Sequence, residues 1–254
     1  MGTDPFSPRP HPKRQRRLAG KGSVPILALL CLAAGCATPA APPAEQSVRP
    51  GINEQWKSSE IGPLVVILES ESREIYAQRE LLAAVAGPRP GSAVADVGAG
   101  SGFMTELFSK LVGPQGTVYA VDINPAMMEH VADRAGSQGL ANIRTVVCTE
   151  RSVELPRDSV DMVFICDTYH HFEYPVSTMR SIHQALRPGG QIVLVDFRRL
   201  PGVSRPWVVD HVRAGEEVFA REIIDAGFEL INRHDLAALQ ENYILRFRKA
   251  PRRR

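Results

Sequence analysis

The stretch Ala93-Val-Ala-Asp96-Val-Gly98-Ala99-Gly100-Ser-Gly102-Phe103 constrains the fold more than any other part of the chain. It reads as a short buried strand that ends beside an acid, runs into a glycine turn and opens a helix, the place where open α/β sheets bind nucleotide-like ligands. Three glycines within five residues let the backbone approach a ligand where a Cβ would collide, and Asp96 sets a carboxylate at the strand's end. The ligand must therefore accept an acid beside it. A dinucleotide fingerprint counted from Gly98 and Gly100 needs its third glycine at position 103, and Phe103 stands there. A pyrophosphate reading, and with it a nicotinamide oxidoreductase, is disfavoured.

Further along, Val118-Tyr-Ala-Val-Asp122 is a second apolar strand ending in an acid, 24 residues after Gly98, where a sheet of this kind hydrogen-bonds ribose hydroxyls. Ile123-Asn-Pro125-Ala-Met127-Met128 follows, with proline at the first helical turn. Methionines there are more often core filler than cofactor contacts. A third strand, Ile143-Arg-Thr-Val-Val-Cys148, leads to Thr149-Glu150-Arg151-Ser152, and a fourth, Asp161-Met-Val-Phe-Ile-Cys166, to Asp167-Thr-Tyr169-His170-His171-Phe172. The fifth, Gln191-Ile-Val-Leu-Val-Asp196, follows Leu186-Arg-Pro-Gly-Gly190.

The spacing D-x-G-x-G-x-G resembles motif I of the class I S-adenosylmethionine-dependent methyltransferases, and L-R-P-G-G before an apolar strand resembles a turn of their small-molecule members. These matches run in order over about residues 92–197. The resemblance implies a Rossmann-like, doubly wound, mostly parallel seven-stranded sheet with an antiparallel last strand inserted next to the fifth. It implies S-adenosylmethionine as a phosphate-free, cationic cofactor, held at Asp96, Gly98, Ala99, Gly100 and Gly102, with Asp122 on the ribose and Ile123 and Met127 (or Met128) beside adenine. Glu150 and Arg151 would meet the adenine edge, although Glu-Arg replaces the family's Asp-Ala pair, and Asp167 would orient the cofactor's amino group or its own loop.

Tyr169, His170 and His171 would stand beside the acceptor as the catalytic candidates, a histidine serving as base or as a loop-fixing hydrogen-bond donor. Asp196 and Arg198 suit either a polar substrate or a surface ion pair. The expected function is methyl transfer to an unidentified small-molecule acceptor; the alternative is a non-catalytic S-adenosylmethionine- or nucleoside-binding lipoprotein module. No metal is expected: no Cys/His spacing resembles a zinc site, and adjacent His170 and His171 on a loop do not easily face one ion.

At 254 residues, 44% apolar and 23% charged, the chain can bury one full core, and the part after the first ~50 residues has the size of one doubly wound domain. The formal charge is +2, with much of the basic excess in Lys13-Arg14-Gln-Arg16-Arg17 and Arg252-Arg253-Arg254, so no nucleic-acid groove is expected. A 12-residue apolar run from Val24 to Gly35 follows these basic residues, too short to span a bilayer at about 20 residues per helix and suited to a signal peptide. Leu32-Ala33-Ala-Gly35-Cys36 resembles a bacterial lipoprotein cleavage site, with Cys36 lipidated, although Ala33 stands where leucine is usual. An ordinary cleaved signal or a short hydrophobic anchor is the alternative. Met1-Gly2 makes no acylation site, since Phe6 stands where Ser or Thr is needed.

The expected organisation is a signal at 1–36, a Pro/Ala-rich tether at 37–53, a helical segment at 54–90 capping the cleft, the catalytic domain at 91–250 and a basic tail at 251–254. One helix is expected from residue 69 to 82, then others at 102–111, 125–137, 175–186 and 215–226, before a closing strand pair at 228–233 and 242–248. Cys148 and Cys166 read as small core thiols without a disulfide. A lipid-anchored protein of the cell envelope is expected, with the cytoplasm, where S-adenosylmethionine is made, as the alternative.

Overall fold

The computed structural model describes residues 44–251. Every element described below lies within the unit Pro43–Arg254. The signal segment, Cys36 and Arg252-Arg253-Arg254 lie outside the described residues. Among the described residues no helix is long and apolar enough to cross a membrane.

Ahead of the sheet come a 3-10 turn (Glu54–Lys57) and helices α1 (Gly62–Leu68), α2 (Glu74–Ala77) and α3 (Arg79–Ala86). The single helix expected over 69–82 is interrupted. Ser70 Oγ accepts the Ser72 backbone N–H at 3.3 Å and lies 2.7 Å from Ser72 Oγ, a local bonding pattern that competes with the helical ladder. α1, opened by Pro63, fell outside the expected helices.

The sheet then forms from β1 (Ala93–Val97), β2 (Thr117–Asp122), β3 (Ile143–Val147), β4 (Val160–Cys166), β5 (Leu186–Phe197), β6 (Phe228–His234) and β7 (Asn242–Lys249). Helices α4 (Phe103–Val112), α5 (Pro125–Ser137), α6 (Pro175–Ala185), α7 (Pro206–His211) and α8 (Glu216–Asp225) connect them. The seven strands lie in the order β3-β2-β1-β4-β5-β7-β6. β1 to β5 are parallel, and β7 enters antiparallel between β5 and β6. That is the expected Rossmann-like sheet, with its closing pair.

β1 is buried on both faces, which is why it reads as a continuous apolar run. Val94 joins a core with Leu82 of α3 and Phe108 of α4, while Ala95 and Val97 join the opposite core with Ile182 of α6 and Phe219 of α8. β5 starts earlier than expected: Leu186 pairs with Val160, and a register shift between Val160 and Met162 absorbs the Pro-Gly-Gly stretch into the strand. Because β2 and β3 lie to one side of β1 and β4 to the other, the chain reverses direction between β1 and β4. Ligands bind at such a reversal, beyond the carboxyl ends of the strands.

Candidate active site

Gly98 and Gly100 both have left-handed backbone, φ +76° and +52°. A Cβ on Gly98 would lie 2.2 Å from Cγ2 of Thr168, and one on Gly100 would lie 2.9 Å from Cδ1 of Leu68. Glycine is therefore required here by protein neighbours, the loop after β4 and the end of α1, and not only by a ligand's approach. Asp122 fixes the turn from the other side: its Oδ2 accepts the Gly100 N–H and its Oδ1 the Asn124 N–H, each at 2.9 Å. Asn124 in turn caps α5, its Oδ1 accepting from Ala126 at 2.9 Å and Met127 at 3.3 Å.

Burial raises the Asp122 carboxyl against the pull of those N–H groups. Asp96 is also buried and accepts the Thr105 hydroxyl at 2.6 Å. Desolvation, helped by the charge of Asp122, pushes Asp96 up to about 7.

Asp96, Gly98, Ala99, Gly100, Asp122, Ile123, Met127, Glu150 and Asp167 line a single cleft. The structure thus brings together most of the residues expected around the cofactor. Gly102 is elsewhere: it opens α4, and a Cβ there would meet Val131 Cγ2 at 2.8 Å. Arg151 is exposed, its guanidinium 3.5 Å from the Tyr174 ring centre and bonded to the Glu45 carbonyl at 3.1 Å. Met128 is packed in the core beside Met127. Glu150 reaches the cleft with an oxygen already paired to Lys57 at 2.7 Å.

Asp167 has φ 47°. Its Oδ2 accepts Arg73 at 3.1 Å and its Oδ1 accepts Asn242 Nδ2 at 2.6 Å, which ties the end of β4 to the pre-sheet segment and to β7. Burial pushes Asp167 up to about 6, opposed by the Arg73 guanidinium. Cys148 and Cys166 are free thiols, as expected, but both line the cleft.

The pre-sheet segment roofs this cleft, and it supplies residues that sequence reasoning did not single out: Asn53, Trp56, Leu68 and Arg73. Trp56 carries a buried indole N–H with no hydrogen-bond partner among the described residues. A lone tryptophan in a polar stretch was the available signal. The segment expected to be a tether up to residue 53 is bonded to the domain from residue 45 on, and Asn53 lines the cleft. Glu45 accepts the Val176 and Ser177 N–H groups at 2.8 Å at the start of α6. Glu173 accepts Ser47 Oγ at 2.8 Å and the Gly51 N–H at 3.1 Å.

A second cavity adjoins the cleft, and both are lined by Trp56, Leu68, Arg73, Asp167 and His171. Its other walls include His170, Phe197, Trp207 and His211. Tyr169, expected beside the acceptor, lines neither cavity. Its ring is fully buried with centroids 4.9 Å from Phe172 and 5.0 Å from Phe219, so it belongs to the core beneath the loop.

His170 is buried, with Nδ1 2.8 Å from Asp196 Oδ1 and its backbone N–H on Oδ2 at 3.2 Å. Asp196 is thereby committed to the loop and not to a substrate, and Arg198 instead faces Asp235 at 3.8 Å. His171 Nε2 lies 3.3 Å from Nε2 of His211, and its buried Nδ1 has no hydrogen-bond partner within 3.5 Å among the described residues. Burial, with the neighbouring imidazoles and Arg49, holds His171 down to about 2, so the ring is neutral. The same causes lower His211. The expectation that His170 and His171 diverge does not hold: the 3-10 turn Tyr169–His171 directs both toward His211 on α7, with ring centroids 5.2 and 5.0 Å away. His211 was not anticipated, and only its place one helical turn after Trp207 hinted at a shared face.

Fold and cleft geometry are similar to those of S-adenosylmethionine-dependent methyltransferases. Residues 95–194 match the family described as a methyltransferase domain. The ubiquinone/menaquinone biosynthesis C-methyltransferase UbiE of Ectopseudomonas mendocina (strain ymp) is 32% identical over 119 residues, 46% of each chain. A solved S-adenosylmethionine-dependent methyltransferase from Aquifex aeolicus superposes with a TM-score of 0.66 at 23% identity, covering 74% of this chain and 98% of that one. The [4+2]-cyclase SpnF superposes with a TM-score of 0.65 at 15% identity, covering 82% and 98%. The chain spans about half the length of the curated relatives it matches.

Likeness at the level of the two solved structures is one of fold, and a cyclase among them illustrates that the fold does not dictate the reaction. The domain match, the curated relatives and the geometry support an enzyme with S-adenosylmethionine as its cofactor.

Proposed function

We propose that the domain transfers the methyl group of S-adenosylmethionine to a small-molecule acceptor seated in the histidine-walled cavity. The observation that carries this reading is the wall shared by the two cavities through Trp56, Leu68, Arg73, Asp167 and His171. An acceptor in one is thereby adjacent to a cofactor in the other.

The cleft's chemistry fits the cofactor. Asp122 keeps carboxylate lone pairs for ribose hydroxyls beyond its two backbone bonds, Asp96 places an acid that favours a cation, and the Trp56 N–H is an unused donor. When bound, the cofactor supplies a methyl carbon already activated by a positive sulfur. What remains for the chain is alignment and the exclusion of water, which the roof of Trp56 and Leu68 provides. Phe197 and Trp207, with ring centroids 5.0 Å apart, suit a flat apolar acceptor body. Asp196 holds His170 by Nδ1, and the neutral tautomer this bond favours carries its lone pair on Nε2. Nitrogen lone pairs in the cavity suit an acceptor with an ionisable O–H, N–H or acidic C–H.

A lipid anchor at Cys36 belongs to the same proposal and is supported by the basic lead, the short apolar run and the small residues before the cysteine. Mass spectrometry of the membrane fraction should find Cys36 as a diacylated N-terminus. An unmodified Cys36 in the cytoplasmic fraction would remove the anchor.

Calorimetric titration with S-adenosylmethionine and, separately, NADH tests the cofactor assignment. Heat with the first alone is expected, at least tenfold weaker in Asp122→Ala. No heat with wild type, or equal affinity in the variant, would overturn it. Product analysis with a radiolabelled methyl donor and candidate acceptors then tests the transfer.

A further inference from the structure

We propose that His170, His171 and His211 form a binding site for one divalent first-row transition-metal ion, with zinc the best match, at the boundary between the two cavities. One ring nitrogen from each of the three residues lies within 4.8 Å of the other two. The Nε2 atoms of His171 and His211 are 3.3 Å apart. A tetrahedral ion with metal–nitrogen bonds of about 2.0–2.1 Å sets neighbouring nitrogens about 3.3–3.4 Å apart, so this pair already has the spacing of two ligands. Binding would draw the third nitrogen in from within 4.8 Å to the same spacing.

Two further observations suit a metal. Asp196, fully buried, accepts from His170 on Nδ1, which fixes the ring and leaves Nε2 as the basic nitrogen, the carboxylate–histidine arrangement that supports imidazole ligands. Each of the three residues also offers one ring nitrogen to a common point, the donor type such an ion takes. Arg49 is the positive charge facing the cluster, its guanidinium held by the Asp210 carbonyl at 2.7 Å, and the buried Asp196 charge offsets it.

Imidazole nitrogen selects the zinc-to-nickel range of ions over magnesium or calcium, which take oxygen. Three protein ligands leave a fourth position, open toward the cavity that Trp207 and Phe197 flank. On the reading proposed above, that position would hold the acceptor's heteroatom. The ion's role toward the acceptor rests on that reading, but its binding does not. A hydrogen bond between two neutral imidazoles is the competing account of the 3.3 Å contact.

The test is titration of the chelator-treated full chain with cobalt(II), followed by the visible ligand-field bands and by displacement with zinc. One equivalent per chain is expected, with at least ~100-fold weaker binding in His211→Ala and about 10- to 100-fold weaker binding in Asp196→Asn. Retained S-adenosylmethionine heat marks His211→Ala as folded. X-ray absorption of the zinc-loaded wild type needs no variant: a nitrogen shell at about 2.0–2.1 Å with imidazole scattering is expected.

No binding, equal affinity in wild type and His211→Ala, or a sulfur shell from the cysteines would overturn the site. Cofactor titration of the same metal-free sample separates the two proposals. Heat with S-adenosylmethionine but no cobalt binding ends the metal site alone, whereas cobalt binding without cofactor heat ends the functional reading and leaves the metal site standing.

Discussion

The cofactor cleft and the histidine cavity share one wall but are assembled in opposite ways. The cleft's floor comes from consecutive pieces of one βαβ unit: β1, the glycine turn, α4 and β2, with Asp122 reaching back 22 residues to hold Gly100. The cavity comes from segments far apart in sequence: the turn at Glu54–Lys57, the loop after β4, the end of β5 and α7. Local construction makes a site rigid and readable. Distributed construction lets it be altered at one wall without touching the sheet.

The sharpest way to break this comparison is at Gly98. Gly98→Val sets a branched side chain into the Thr168 position with unfavourable backbone, so cofactor binding should be lost and stability should fall by about 2–4 kcal/mol in thermal unfolding. Near-native binding would mean that the turn is looser than its contacts imply. On the other side of the wall, His171→Ala should reduce methyl transfer by roughly 10²-fold while calorimetry finds cofactor affinity within about twofold of wild type. A parallel loss of cofactor affinity would merge the two regions into one.

A smaller effect is expected for Asp122→Asn, which keeps one acceptor oxygen for two backbone N–H donors and should weaken cofactor binding by about 1–3 kcal/mol. Unchanged titration curves would move the ribose contact elsewhere.

Acidity offers a finer probe. Asp96 titrates near 7 when folded against 3.8 as its ordinary value, so between those pH values the native state holds a proton that the unfolded chain has released. Its contribution to stability therefore falls as pH rises from about 4 to 7 and is flat above. A bound cation favours the ionised form, so affinity for S-adenosylmethionine should rise with pH up to about 7, at most tenfold per unit, with proton release below it. Calorimetry in buffers of different ionisation enthalpy measures that proton. Thr105→Val, which removes a bond that favours the anion, should shift the profile upward. A flat profile would place the sulfonium away from Asp96. Smallest of all, Tyr169→Phe should leave methyl transfer within about twofold, since the ring lies in the core; a tenfold loss in that assay would return Tyr169 to the reaction.

The same contrast explains what was legible beforehand. β1, β2 and β4 announce themselves as short apolar runs ending at or beside acids or glycines, so their order and the carboxylates they carry could be read directly. The six- and seven-residue helices α7 and α1 are too short to display a helical period, and each begins at or beside a proline that marks a break as readily as a start. Trp56 and His211 hold their places through contacts across 115 and 40 residues to His171, which no local pattern encodes. Tyr169 was misplaced because adjacency in a loop does not settle which side chain turns inward, and the short 3-10 turn sends the phenol to the core and the imidazoles to the cavity.

The carboxylates of Glu45 and Glu173 have a mechanical meaning. Glu45 grips the start of α6, Glu173 grips Ser47 and Gly51, and Asn53 donates to the His171 carbonyl at 3.1 Å. A pull on the chain ahead of residue 45 would load these bonds in series and reach the backbone of His171 within nine residues. A load applied ahead of residue 45 would therefore be felt at the wall that the cleft and the histidine cavity share.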